Sequence, residues 1–262
     1  MKWFFALCNE SKDCKRTIEH LKVAVTSARR HTNLEPYFLY DGERDELTEW
    51  LTKKGVNIVI TQVSFLKALI DNPKFENIGT ARGAYLRVEV PKIVKTLNLD
   101  DKFILYTDCD VIFTKTTTDI FNNTPKYFAA APEFKVDDYS YVNTGVMLIN
   151  VDNMTSSLEE FIKHIKTQCK NDKATHTAYD QSMYNEFYKG KFDRLEPEYN
   201  WKPYWGFNPN AKIIHFHGPK IDTIRKLQDT NTPPILMYLY YTGQQNNEGY
   251  NRYKDIFDDY TI

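Results

Sequence analysis

Short apolar runs alternate with segments of helical periodicity through the first 220 residues, and few architectures accept that order. Trp3 to Cys8 is apolar, Asn9 to Asp13 is a polar turn, and Ile18, Leu21, Val25 and Ala28 then recur at helical spacing. The pattern returns as a strand from Pro36 to Tyr40, a turn at Asp41-Gly42, a helix from Glu43 to Lys54 and a strand from Gly55 to Ile60. A helical stretch from Thr80 to Leu97 follows, in which Pro91 is expected to kink or divide the helix. Lys102 to Thr107 reads as a buried strand that runs directly into Asp108-Cys109-Asp110. Further strands are expected at Tyr127 to Ala131, Tyr141 to Asn150 and Lys212 to His217, with helices at Leu158 to Cys169 and Asp180 to Tyr188. Such alternation builds an α/β fold, a mostly parallel sheet covered on both faces, with ligands at the carboxyl ends of its strands. The tail from Asp222, with Pro233-Pro234 and the tyrosine-rich Tyr238 to Tyr241, is less regular and reads as a C-terminal arm.

A chain of 262 residues with 42% hydrophobic and 26% charged content can bury one sizeable core. Its formal net charge of -1 gives no reason to expect nucleic acid as a partner, so any anion must be held locally. The four cysteines, Cys8, Cys14, Cys109 and Cys169, form no CxxC pair, which fits a reducing, cytoplasmic compartment better than a disulfide framework. Glu10, Lys12 and Asp13 interrupt the first apolar run before it could serve as a signal peptide. No window approaches the ~20 apolar residues needed to cross a bilayer. A peripheral membrane contact stays compatible with the composition.

Two carboxylates one residue apart at the end of an apolar strand, Asp108 and Asp110, can both reach a divalent cation. A hard cation takes oxygen ligands and can share them with the phosphates of a nucleotide diphosphate. Alone, such a pair more often caps a helix or ends a strand. Ile213-Ile214-His215-Phe216-His217-Gly218-Pro219-Lys220 adds an imidazole for the cation, a glycine for close backbone approach and a lysine for a phosphate. Strand alternation places His215 and His217 on one face, so spacing does not choose between them. Asn143-Thr144-Gly145 and Asp180-Gln181 with Asn185 carry amides and a carboxylate suited to sugar hydroxyls, although Asn143 also suits a turn and Asp180 a helix cap.

Together these segments resemble glycosyltransferase family 8, the group of glycogenin and bacterial lipopolysaccharide galactosyltransferases, over roughly Trp3 to Lys220. The matching pieces are Tyr85-x-Arg87-x-x-x-Pro91, Tyr106-x-Asp108-x-Asp110, Asn143-Thr144-Gly145-Val146, Asp180-Gln181 with Asn185, and His215-x-x-Gly218 with Lys220. The resemblance implies a Rossmann-like GT-A fold, a UDP-sugar donor, manganese or alternatively magnesium as cofactor, and retention of the anomeric configuration. It implies that Asp108, Asp110 and His215 bind the metal, with Asp108 also near the ribose. Arg87, Asn143, Thr144 and Asp180 would hold the donor, Gln181 would lie near the anomeric carbon, and Asp180 with Gln181 would form the catalytic pair. Ala6 and Asn9 would meet uracil and ribose; Gly218 and Lys220 would meet the diphosphate. Residues 1–221 would form the catalytic domain and 222–262 an extension.

The sequence departs from the family at Lys220, two residues after the glycine rather than three, and at His217, where the family has an uncharged residue. The aromatic stretch Tyr199-Asn200-Trp201-Lys202-Pro203-Tyr204-Trp205-Gly206 suggests a sugar or acceptor platform. A haloacid-dehalogenase-like phosphatase would place its acidic pair after the first strand, not about a hundred residues in. A sugar nucleotidyltransferase would need a glycine-rich loop near the first strand, which is absent. A catalytically silent sugar-nucleotide-binding protein would have no use for Asp108, Asp110, Gln181 and His215 together. The expected reaction is transfer of a hexose to a carbohydrate or other hydroxyl acceptor.

Overall fold

The computed structural model describes residues 1–11, 14–72, 75, 77–171, 179–230 and 247–261. Strands β1 (Lys2–Cys8), β2 (Glu35–Asp41) and β3 (Asn57–Ile60) alternate with helices α1 (Cys14–His31) and α2 (Glu46–Lys53), as the periodicity requires. After the short helix α3 (Leu66–Ile70), α4 (Ile78–Thr96) leads into β4 (Phe103–Thr107) and β5 (Val111–Phe113). Then come β6 (Phe128–Pro132), β7 (Val142–Asn150), α5 (Val151–Lys170), α6 (Tyr179–Phe187), β8 (Asp193–Arg194) and β9 (Ile213–His215). The central sheet has seven strands in the order β3-β2-β1-β4-β7-β6-β8, and β5 and β9 form a separate two-stranded ribbon.

Strands β1 to β4 pair in parallel, but β7 runs antiparallel to both neighbours, β4 and β6. The reversal decides where the polar segment of β7 goes. In parallel, Asn143 to Gly145 would lie at the far end of the sheet from Asp108; in antiparallel, Val146 faces Thr107 and Asp108 N–H donates to Gly145 O at 2.7 Å. The pairing of β6 with β7 also jumps, from Ala130 opposite Met147 to Ala131 opposite Asn143, so Thr144, Gly145 and Val146 bulge out of that ladder. A bulge re-aims side chains, and here it lies beside the acidic pair.

One hydrophobic cluster joins β1 and β7 to α4, α5 and α6, and a second joins the opposite sheet face to α1 and α2. Helix α4 continues through Pro91 as a single element, so the proline does not divide it. Proline removes one helical hydrogen bond, but Val88, Val90, Ile93 and Val94 are buried around it and offset that cost. The start of α4 presses on the end of β1: a Cβ on Gly79 would stand 2.1 Å from Glu10 O, so only glycine fits.

The tail is more regular than its sequence suggested. It contains α7 (Ile221–Thr230) and α8 (Asn247–Asp258), while Pro233-Pro234 and Tyr238 to Tyr241 lie outside the described residues. Tyr250, Tyr253 and Phe257 of α8 recur at helical spacing and pack with Ile214, Phe216, Ile221 and Ile224 in a third cluster. No helix among the described residues is long and apolar enough to cross a membrane.

Candidate active site

Asp108 and Asp110 flank the step from β4 to β5, and the antiparallel β5–β9 register sets Val111 opposite His215. This brings His215 Nε2 to 3.3 Å from Asp110 Oδ1 and 3.7 Å from Asp108 Oδ2. One ligand atom from each of the three residues lies within 4.8 Å of the others. Asp110 Oδ1 is buried without a hydrogen-bond partner, an arrangement that a cation would satisfy. An O, O, N donor set with room for phosphate oxygens fits manganese or magnesium better than a soft metal.

The tautomer of His215 follows from its other nitrogen. Nδ1 lies 3.0 Å from Asn200 Oδ1, and Asn200 Nδ2 donates to Asn143 Oδ1 at 2.8 Å, which identifies the Asn200 oxygen as the one facing the ring. His215 therefore donates from Nδ1 and keeps the Nε2 lone pair for the cation. Burial lowers its proton affinity, so the ring stays neutral below the ordinary histidine range. Asn200→Ala should weaken manganese binding about 10- to 100-fold with unchanged circular dichroism. Wild-type affinity in a titration of that variant would refute the assignment.

Burial opposes charge on Asp110, but Lys220 and His215 hold its carboxyl well below the usual range. Lys220 bonds Asp110 Oδ2 and donates to Phe216 O at 2.6 Å. Gly218, at φ +98°, makes the turn that returns Lys220 to the acidic pair. Arg87, from α4, reaches Asp108 Oδ1 at 2.6 Å and Asp180 Oδ2 at 2.9 Å and also bonds Thr144 O. Burial pushes Asp180 up to about 7, against the pull of Arg87.

Two cavities meet at this centre. One of about 250 Å³ is lined by Ala6, Cys8, Gly83, Asp110 and Lys220; the other, of about 490 Å³, by Asn143, Thr144, Asp180, Gln181 and Tyr141. Ala84, Arg87 and Asp108 line both. Asn9 lines a different groove from Ala6, together with Asp41, Gly42 and Arg82.

The two imidazoles are neighbours, with ring centroids 5.4 Å apart, as strand alternation leads one to expect, although β9 itself ends at His215. His217 turns to Glu133, with Nε2 2.6 Å from Oε1. Glu133 is a residue the sequence did not single out: it directly follows β6, is 3% exposed and lines the larger cavity. The aromatic stretch from Tyr199 is chiefly a buttress rather than a platform. Tyr204 O–H donates to Glu133 O at 2.6 Å, Trp205 Nε1 to Phe134 O at 2.8 Å, and the buried Lys202 to Pro132 O at 2.5 Å. His20, on α1, also lines the smaller cavity and was likewise missed; burial lowers its pKa to about 3.

Comparison with known proteins gives the same architecture. The family model for glycosyl transferase family 8 matches residues 16–220. The glycosyltransferase GlyE of Streptococcus pneumoniae TIGR4 superposes at TM-score 0.65 and 19% identity, over 100% of this chain and 60% of that one. The galactosyltransferase LgtC, solved in complex with donor and acceptor sugar analogs, gives 0.63 and 18%, over 97% of this chain and 100% of LgtC. Mouse xyloside xylosyltransferase 1 gives 0.57 and 15%, over 82% and 97%. No curated protein sequence matches the chain. At such identities the likeness carries the fold alone, which is GT-A. Because the family match runs over most of its length, the chain belongs to glycosyl transferase family 8.

Proposed function

We propose that this chain moves a hexose from a UDP-sugar to a hydroxyl of a carbohydrate or other acceptor, with retention at the anomeric carbon and manganese or magnesium as cofactor. The observation that carries this reading is the junction of the two cavities at Arg87 and Asp108, beside Asp110 and His215. A nucleotide fits the smaller cavity against Ala6, with Lys220 near the diphosphate. The sugar fits the larger one, among Arg87, Asn143, Thr144, Asp180 and Gln181. A divalent ion on the acidic pair and His215 would neutralise charge gathering on the leaving diphosphate.

Retention is supported by the character of the carboxylates. Inversion needs a base on the sugar face opposite the leaving group. Glu133 is a poor base: burial works against its charge, yet His217 and Lys202 hold its pKa well below the usual carboxylate range. Asp180 is engaged by Arg87, which it shares with Asp108, and in this reading it holds the donor rather than acting as a base. The departing phosphate then takes the acceptor proton, and Gln181 faces the positive sugar.

Residues 1–221 serve in this reading as the catalytic unit and 222–262 as an arm, of which α8 packs beside the β5–β9 ribbon. Cytoplasmic residence accords with the free, buried thiols of Cys8, Cys109 and Cys169. Purified protein with manganese and a panel of UDP-, GDP- and dTDP-sugars tests the reading by NMR of donor hydrolysis and of the first-formed product. UDP-sugars should turn over and the product should keep the donor's anomeric configuration. Calorimetry showing GDP bound as tightly as UDP, or an inverted product, would overturn the corresponding part.

A further inference from the structure

Glu133 has no place in the motifs that mark the family resemblance, yet it bonds Asn143 and Gln181 of those motifs directly. Its Oε2 accepts from Asn143 Nδ2 at 2.7 Å and from Gln181 Nε2 at 3.0 Å, while its Oε1 lies 2.6 Å from His217 Nε2. The opposite end of the Gln181 amide is fixed too: Oε1 accepts from Thr144 N–H and from Asn143 Nδ2, each at 3.1 Å. A backbone N–H can only donate, so the Gln181 oxygen must face β7 and its NH₂ must face Glu133. The Asn143 amide is oriented in the same way, since its Oδ1 accepts from Gly145 N–H at 2.9 Å.

We propose that Glu133 is a positioning residue that anchors the NH₂ end of the Gln181 amide, and that His217 acts through it by holding Glu133 in place. The proposal rests on the reading that Gln181 faces the reacting sugar. Thr144 N–H and Asn143 Nδ2 select the side of the Gln181 oxygen, but they hold the amide at that end alone. Without the acceptor at Glu133 the NH₂ end would lose its partner. The carboxylate fixes that second end, because it accepts only and has donors on both oxygens. The ionised state is maintained from two sides, by His217 and by Lys202, which is buried beneath the segment with its Nζ on Pro132 O. His217 thus has a role that an uncharged, non-donating side chain at this position could not fill.

The test compares Glu133→Gln, His217→Phe, His217→Gln, their double variant Glu133→Gln/His217→Phe, and Gln181→Ala. Glu133→Gln should lower kcat about 10²-fold, as a displaced catalytic group does, with UDP affinity by calorimetry unchanged. His217→Phe should lower kcat about 10-fold and leave manganese affinity unchanged, while His217→Gln, which keeps a donor, should stay within about 3-fold of wild type. The double variant should fall no further than Glu133→Gln alone, because both act through one contact. Additive losses, failure of His217→Gln to rescue, or a loss of manganese affinity in His217→Phe would overturn the proposal. So would an active Glu133→Gln beside an inactive Gln181→Ala, which would leave the wider reading standing. A fully active Gln181→Ala would remove both. Should Glu133→Gln fail to fold, the two His217 variants decide, since that ring is 31% exposed and tolerates exchange.

Discussion

Asp110→Asn and His215→Ala should each remove about 10²- to 10³-fold of the transfer rate, equivalent to about 3–4 kcal/mol of transition-state stabilisation. Asp110 directly precedes β5 and His215 ends β9, and their ligand atoms lie within 4.8 Å of one another, so neither can be replaced by a neighbour. Losing either weakens both cation binding and stabilisation of the leaving diphosphate. Asp110→Asn also leaves Lys220 without its carboxylate partner, which adds to the loss. His217→Ala should cost less, about 10-fold, because that ring meets Glu133 rather than the cation. Turnover measured over a range of manganese concentrations, with circular dichroism to establish folding, checks all three. Full activity in chelator, or wild-type turnover in a folded Asp110→Asn enzyme, would exclude a metal mechanism. A larger loss in His217→Ala than in His215→Ala would mean that the wrong histidine has been identified as the ligand.

Gly145→Ala is expected to have a comparable effect although it removes no functional group. A Cβ there would lie 2.1 Å from His215 Cε1 and 2.8 Å from Asp108 Oδ2. Neither atom can retreat easily: the His215 ring is 1% exposed and tied to Asn200, and Asp108 is tied to Arg87. Displacing two ligands by an ångström or more should weaken manganese binding at least about 100-fold and cost about 1–3 kcal/mol of stability. A manganese titration and urea denaturation measure the two parts. Gly190→Ala is the control, because its φ of +71° strains alanine but no atom lies within 4 Å of the added carbon. That variant should lose about 1 kcal/mol and no metal affinity. Wild-type manganese affinity in Gly145→Ala would show that the bulge in β7 does not frame the site.

Elements were legible wherever their cause was local. The apolar runs at β1, β2 and β4 and the helical period of α1 mark burial on one face or two, and that pattern survives folding unchanged. The period of Tyr250, Tyr253 and Phe257 was as clear, but the prolines and tyrosines before it drew the reading of the whole tail toward irregular structure. Pro91 does not divide α4, for the opposite reason. Its local cost is real, and burial along α4 outweighs it.

At the site, residue chemistry could be read from the sequence while residue pairing could not. Two aspartates after a strand and a histidine after another state what kind of ligand they can hold, because that depends on their own atoms. The direction of β7 leaves no mark in a period of two, so only the folded sheet brings Gly145 against His215. His215 and His217 are neighbours that differ in partner, His215 facing the acidic pair and His217 facing Glu133, and spacing alone does not show that difference. Glu133 and Asn200 lie 82 residues before and 15 before His215 and carry no spacing signal, yet they join His215 to the larger cavity through Asn143. The sequence by itself determined the order of elements and the kinds of ligand, since both arise within a few residues of chain. The tertiary structure alone decided which of those ligands converge, because convergence is set by strand direction, register and the partners that hold each side chain in place.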